Sequence, residues 1–300
     1  MEEPEWALQV SIEKEQNMKN ILLATDLSTE TNRALGRAVH LASTLAAKLH
    51  VVHICPVYAF SSKKKTTISL KQDAEETLKN ALAAVKGLKK SQTSLTVIEG
   101  GETFAEIIDQ AKKVKAGLIV MGIHGKVKLI DMFVGTTIER VIRKGMTPVL
   151  MVRDKPSAGY GKVLVGTDFS DGSTQAFHIA LDLAPKAEFH LVHSYMYMGG
   201  HMARYMEDVL ADLARDKLEK FVEKSKGILK KHKISPQDFH PGTVKGEPYA
   251  CLLNAAAKIK PDLIAIGTHS QVSIMPYKLG GTAKEILSDP PCDVLIAKGL

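Results

Sequence analysis

Read along the chain, hydrophobic and polar positions alternate between two rhythms. Short apolar runs such as Ile21–Thr25, Val51–Ile54, Leu95–Ile98, Leu118–Met121 and Val149–Val152 carry no polar alternation. That is the pattern of strands buried on both faces. Between them, apolar residues recur every three or four positions: Leu35, Ala38, Val39, Ala42 and Leu45 in one stretch, Ala74, Leu78, Leu82 and Val85 in another. The spacing predicts helices, the second over Leu70–Leu88, with further helices over Phe104–Val114 and Thr136–Arg143. Ser28 stands where an N-cap is wanted. Strands alternating with helices predict an α/β fold with a parallel sheet covered on both faces.

The pattern then repeats. KNILLATDLS (19–28) matches GKVLVGTDFS (161–170), and LHVVHIC (49–55) matches FHLVHSY (189–195). GETFAEIIDQAKKVKAGLIVMGIHG (101–125) matches GEPYACLLNAAAKIKPDLIAIGTHS (246–270), and TPVLMV (147–152) matches CDVLIA (292–297). An offset of 140 to 145 residues is that of a duplicated domain. Pro156 and the nearby glycines mark the break. The expected division is an N-terminal extension 1–18, a first domain 19–152, a linker 153–160 and a second domain 161–300.

Composition adds exclusions. At 300 residues and 45% hydrophobic, the chain has material for two cores. The formal net charge of +7 comes from lysines scattered over presumed helix faces, so a solvated surface is expected and no nucleic-acid partner. Lys63-Lys64-Lys65 reads as a mobile loop. Cys55, Cys251 and Cys292 lie far apart without a CxxC pair, which argues against a zinc knuckle or a disulfide framework and for a reducing, cytoplasmic setting. The start of the chain lacks the long apolar core of a signal peptide, and no run approaches a membrane span.

The candidate chemistry lies in GIHGKVKLIDMFVGTT (122–137). Open parallel sheets bind ligands beyond the carboxyl ends of their strands, where the strand order reverses. The first strand ends in Ala24-Thr25-Asp26 and the fourth in Gly122-Ile123-His124-Gly125, so the two would face one another. Gly122 and Gly125 permit sharp turns and close backbone approach. Gly135, Thr136 and Thr137 open a helix whose N-terminus favours an anion, and Lys126 adds a point charge. Neither a Walker A loop nor GxGxxG is present.

The full spacing G-x2-G-x9-G-T after a buried strand in a duplicated α/β unit resembles the ATP-binding signature of the universal stress protein family. The resemblance runs from Lys19 nearly to the end. It implies two tandem Rossmann-like domains (adenine nucleotide alpha hydrolase-like), each with a five-stranded parallel sheet of order 3-2-1-4-5. It also implies ATP, with Mg²⁺, held by Ala24, Thr25, Asp26, Ile54, Met121, Gly122, His124, Gly125, Lys126, Gly135, Thr136 and Thr137. Asp26 and Ile54 would meet the adenosine end, and Asp26 a bridging Mg²⁺. Family members dimerise through their last strand, and a tandem chain could pair its own two, as an intramolecular pseudo-dimer open to further homodimerisation.

The second copy departs from the pattern. Asp168, Gly267 and Gly280 remain, but Ser194 replaces Ile54, Ser270 replaces Gly125 and Gly281 replaces Thr136. Pro276 stiffens the loop. This copy is expected to bind ATP weakly or not at all, or to take a smaller ligand. His53 and His193 match at the end of the second strand and read as sheet-end positions, whereas a metal site from His201 and His269 is possible but not demanded by spacing. Met202–Lys226 reads as a solvated helix with i,i+4 charge pairs, and the Met- and Tyr-rich 195–202 stretch as a core or interface patch or a lid. The expected function is an ATP-binding stress-response regulator. The alternatives are a slow ATPase, against which stands the lack of an obvious general base, and a scaffold binding a protein or small apolar ligand through its second half.

Overall fold

The computed structural model describes residues 18–28, 31–55, 67–84, 87–123, 137–154, 159–196, 203–268 and 279–299. The chain divides into two compact units, Met1–Ala158 and Gly159–Leu300.

In the first unit the strands are β1 (Asn20–Thr25), β2 (Lys48–Cys55), β3 (Thr93–Glu99), β4 (Leu118–Gly122) and β5 (Val149–Val152). They alternate with helices α1 (Thr31–Thr44), α2 (Thr67–Ala84), α3 (Thr103–Lys113) and α4 (Thr137–Lys144). The strand order is β3-β2-β1-β4-β5, and every pairing is parallel. The implied 3-2-1-4-5 order is therefore present. The chain winds outward from β1 to β3, then crosses back to β4, so strand order reverses between β1 and β4. The central strands are apolar because both faces are covered: Ile21, Leu22, Leu49, Val52, Leu118, Ile119 and Val120 have no exposed surface. At about 1.5–3 kcal/mol for each fully buried aliphatic side chain, this core is the main stabilising term.

The second unit repeats the plan. Its strands are β6 (Lys162–Gly166), β7 (Glu188–Tyr195), β8 (Phe239–Lys245), β9 (Leu263–Gly267) and β10 (Asp293–Ala297), and its helices α5 (Asp171–Leu183), α6 (Ala203–Lys231), α7 (Pro248–Ile259) and α8 (Gly281–Ser288). From β8 the order is β8-β7-β6-β9-β10, again all parallel. Ser170 caps α5, accepting from Ser173 N at 3.3 Å. In the first unit residues 29 and 30, between Ser28 and the start of α1, lie outside the described residues. Tyr160 is buried just ahead of β6, and its hydroxyl donates to the fully buried Asp293 at 2.9 Å.

The long helix α6 corrects the expectation of a solvated element. Ala214, Leu218, Ser225 and Leu229 are buried on one face, and Phe221 lies 5.9 Å from the Phe177 ring of α5. Among the described residues it carries the intrahelical ion pairs Asp212–Arg215 and Glu223–Lys226, both at i,i+3. The charges conceal a packed stripe. Lys63–Lys65 and the 197–202 stretch lie outside the described residues.

Candidate functional site

The crevice forms where strand order reverses. In the first unit Ala24 lies beside Met121 across the β1–β4 pairing, and Thr25 lies beside His53 across β1–β2. Side chains alternate along a strand, so Ala24, Ile54 and Met121 share one sheet face. All three are buried, and Gly122 at the end of β4 is half-buried. Thr137 opens α4. His124, Gly125, Lys126, Gly135 and Thr136 lie outside the described residues.

The turn after β1 is built the same way in both units. Thr25 Oγ1 accepts from Leu27 N at 3.1 Å, and Asp26 Oδ1 accepts from Ser28 N at 3.0 Å. Thr167 Oγ1 accepts from Phe169 N at 3.0 Å, and Asp168 Oδ1 accepts from Ser170 N at 3.1 Å and from the Ser170 hydroxyl at 2.6 Å. Leu27 and Phe169 take left-handed backbone, with φ of 63° and 64°. Such a conformation is uncommon outside glycine and concentrates at functional turns. The acidic residue after strand one thus acts locally: one carboxylate oxygen braces the turn that aims the chain across the crevice.

The paired histidines also acquire a role. His53 Nδ1 lies 2.8 Å from Thr25 O, and His193 Nδ1 lies 2.8 Å from Thr167 O. A carbonyl only accepts, so Nδ1 carries the proton and donates in both. His193 is further held by Phe169, 4.3 Å between ring centroids. Burial pushes its pKa down; the Thr167 carbonyl and Asp168 oppose the shift, and Lys217 adds to it. These histidines brace the end of strand one. His201 and His269 are outside the described residues.

The second unit has a cavity of about 270 Å³ at the same place. Among the described residues its floor is Gly166, Val192 and Ile266, with Pro248 and Leu252 from α7 as an apolar wall. Asp168, His193, Ser194, Gly267 and Thr268 border it, as do Gly280, Gly281 and Thr282 at the start of α8. Gly280 caps α8 without a side-chain bond, so the amide end of the helix turns toward the cavity without a side-chain partner from its cap. A Cβ on Gly166, such as Ala24 carries in the first unit, would come within 3.0 Å of Leu252 and Ile266. Gly267 has a packing reason: a Cβ there would lie 2.7 Å from Ser173 N and 3.0 Å from Gly172 C at the start of α5. This glycine admits another part of the chain, whereas its place in the sequence motif suggested that it admits a ligand. Ser270 lies outside the described residues.

Sequence reasoning missed the left-handed residues and the Thr167–Ser173 hydroxyl pair (3.2 Å). The former carry no glycine or asparagine to betray them. The latter had one visible signal, a hydroxyl residue six places after the threonine in both copies, Thr31 and Ser173.

The model of the universal stress protein family matches twice, over residues 17–153 and 159–298. Universal stress protein E of Salmonella typhi is 23% identical over 304 residues, covering 93% of this chain and 94% of that protein. Universal stress protein MJ0531 of Methanocaldococcus jannaschii is 31% identical over 143 residues, covering 45% of this chain and 82% of its own length. A crystal structure of a universal stress protein from Archaeoglobus fulgidus superposes with a TM-score of 0.69 at 21% identity, covering 94% of this chain and 99% of that one, a likeness of fold. With the family model matched across both repeats and the 3-2-1-4-5 sheet formed twice, the chain belongs to the universal stress protein family, in a form that carries two copies of the domain.

Proposed function

We propose that the first repeat holds ATP with Mg²⁺ and that the chain works as a stress-response regulator whose signal is nucleotide occupancy. The observation that carries this reading is the register at the switch point, with Ala24 beside Met121 and Gly122 following at once. Buried Ala24, Ile54 and Met121 supply an apolar floor suited to an adenine ring. The intact run Gly122, His124, Gly125, Lys126, Gly135, Thr136 and Thr137 supplies the donors and close approach that phosphates need. Asp26, whose Oδ1 accepts from Ser28 N, would meet the Mg²⁺.

The cavity of the second unit favours a second reading for that half. Gly281 and Ser270 replace groups of the phosphate signature, and the cavity walls are largely apolar. A compact, partly apolar ligand with one anionic group would suit Leu252, Ile266 and the start of α8.

Denaturing the purified full-length chain and resolving the released small molecules tests the first reading. An adenine nucleotide at close to one per chain is expected. Following phosphate release with Mg²⁺ and ATP then separates a binding protein from a slow ATPase: steady release at many turnovers would favour the enzyme. A chain that carries no nucleotide and takes up none would remove the proposal.

A further inference from the structure

At the opposite end of the second sheet, far from the carboxyl-end crevice, three side chains converge. Glu188 and His190 are two apart on β7 and so share a face, and His240 is the register partner of His190 on β8. Phe189, one residue along, turns to the other face, where it meets Phe177 of α5. His190 Nε2 lies 3.0 Å and His240 Nε2 3.1 Å from the same Glu188 oxygen, Oε1. The two imidazoles are stacked with centroids 4.8 Å apart. All three donor atoms fall within 4.8 Å of one another, the one such group of His, Cys, Asp or Glu among the described residues.

We propose that Glu188, His190 and His240 form a binding site for a divalent transition-metal ion, with zinc as the reference ion. Two imidazoles and one carboxylate are a ligand set that such ions take, and a tetrahedral zinc with bonds of about 2.0–2.2 Å places neighbouring ligand atoms about 3.3 Å apart. The two separations to Glu188 Oε1, 3.0 and 3.1 Å, are already near that value. A hydrogen-bonded cluster alone accounts less well for the geometry. His190 Nε2 is buried and has no hydrogen-bond partner of acceptable alignment, although Oε1 is close. The buried nitrogen and the carboxylate oxygen thus face one another at close range but out of line for a shared proton, an arrangement that a cation between them satisfies. The His240 side chain is 45% exposed, which leaves an entry path and room for water in the remaining coordination position. Lys162 approaches the other Glu188 oxygen at 3.8 Å, leaving Oε1 to the histidines.

The first unit is an internal control. The positions matching Glu188, His190 and His240 are Lys48, His50 and Ser94. There the histidine has ordinary partners on both nitrogens: Ser94 Oγ at 2.7 Å from Nδ1 and Asn20 Oδ1 at 3.0 Å from Nε2. In the second unit Asn20 has become Lys162, so that partner is lost while a second histidine and a carboxylate arrive together.

The test is calorimetric titration of zinc ion alone into chelator-treated full-length chain, repeated with His240→Ala, Glu188→Gln and the control Ser94→Ala. One saturable event per chain is expected. It should weaken by at least about tenfold in each of the first two variants, a scale that even outer-shell changes reach, and stay unchanged in the control. Cobalt(II) in place of zinc should give visible absorption bands that the same two variants lose. Equal zinc affinity in parent, His240→Ala and Glu188→Gln would overturn the proposal, as would the lack of any saturable event. Thermal unfolding of each variant in chelator, matching the parent, separates lost ligands from lost fold.

Discussion

Two glycines with the same look in the sequence have different physical reasons. At Gly267 the neighbour is the chain itself, with Ser173 N 2.7 Å from any added Cβ. Gly267→Ala should therefore destabilise the second unit by about 1–3 kcal/mol through overpacking, read as a lower urea midpoint for its unfolding; an unshifted midpoint would mean that α5 can back away. At Gly125 the proposed neighbour is a phosphate. Gly125→Ser copies the serine of the second repeat and should weaken ATP binding by about 1–3 kcal/mol, the scale of imposed backbone strain, with the fold retained. Equal ATP affinity in a folded variant would show that this loop does not hold phosphate. The sequence made both glycines legible as turn residues, but the spacing could not say which approach each one serves. It was blind to Leu27 and Phe169, since nothing in a leucine or phenylalanine announces φ above 60°; the hydroxyl and carboxylate of the preceding Thr-Asp pair hold them there.

At the scale of elements, strands buried on both faces were the most readable, because an unbroken apolar run has few other uses. Their ends were less so. β2 begins at Lys48, three residues before the Val51 expected to open it, since its first residues alternate between exposed and buried positions. The packed face of α6 was hidden by its charges, although Ala214, Leu218, Ser225 and Leu229 keep a helical period. That face joins an aromatic cluster around Phe177, which is fully buried and lies 5.9, 6.0 and 6.2 Å from Phe221, Phe239 and Phe189. Phe177→Ala removes the ring that links α5, α6, β7 and β8. It should cost about 3–5 kcal/mol, seen in denaturant unfolding of the second unit with the first unit's transition in place. A loss below about 1 kcal/mol, the scale of a conservative swap, would contradict the packing described.

For the whole molecule, the family and its duplicated domain were legible because one pattern occurs twice, and the metal-binding arrangement was not, because Glu188, His190 and His240 meet only through strand register. Several histidines also give the chain a common pH response. Burial lowers the pKa of His40, His50 and His193 below the ordinary 6.5. Above pH 6.5 neither the folded nor the unfolded chain binds these protons. As the pH falls below it, the unfolded chain takes them up first, and stability is lost until the folded pKa values are passed. The melting temperature should therefore fall from pH 7.5 to pH 5.5; a rise over that interval would contradict the burial of these rings.

The central claim is that one repeat of the two retains a nucleotide site, because Gly122, Gly125, Gly135 and Thr136 are complete in the first and broken by Ser270 and Gly281 in the second. Calorimetric titration of nucleotide-free full-length chain with ATP and Mg²⁺ tests it most directly, run beside Gly125→Ser. The account predicts saturation at one ATP per chain, with that event weakened in the variant. Two sites of equal affinity, or a single site indifferent to Gly125→Ser, would contradict it.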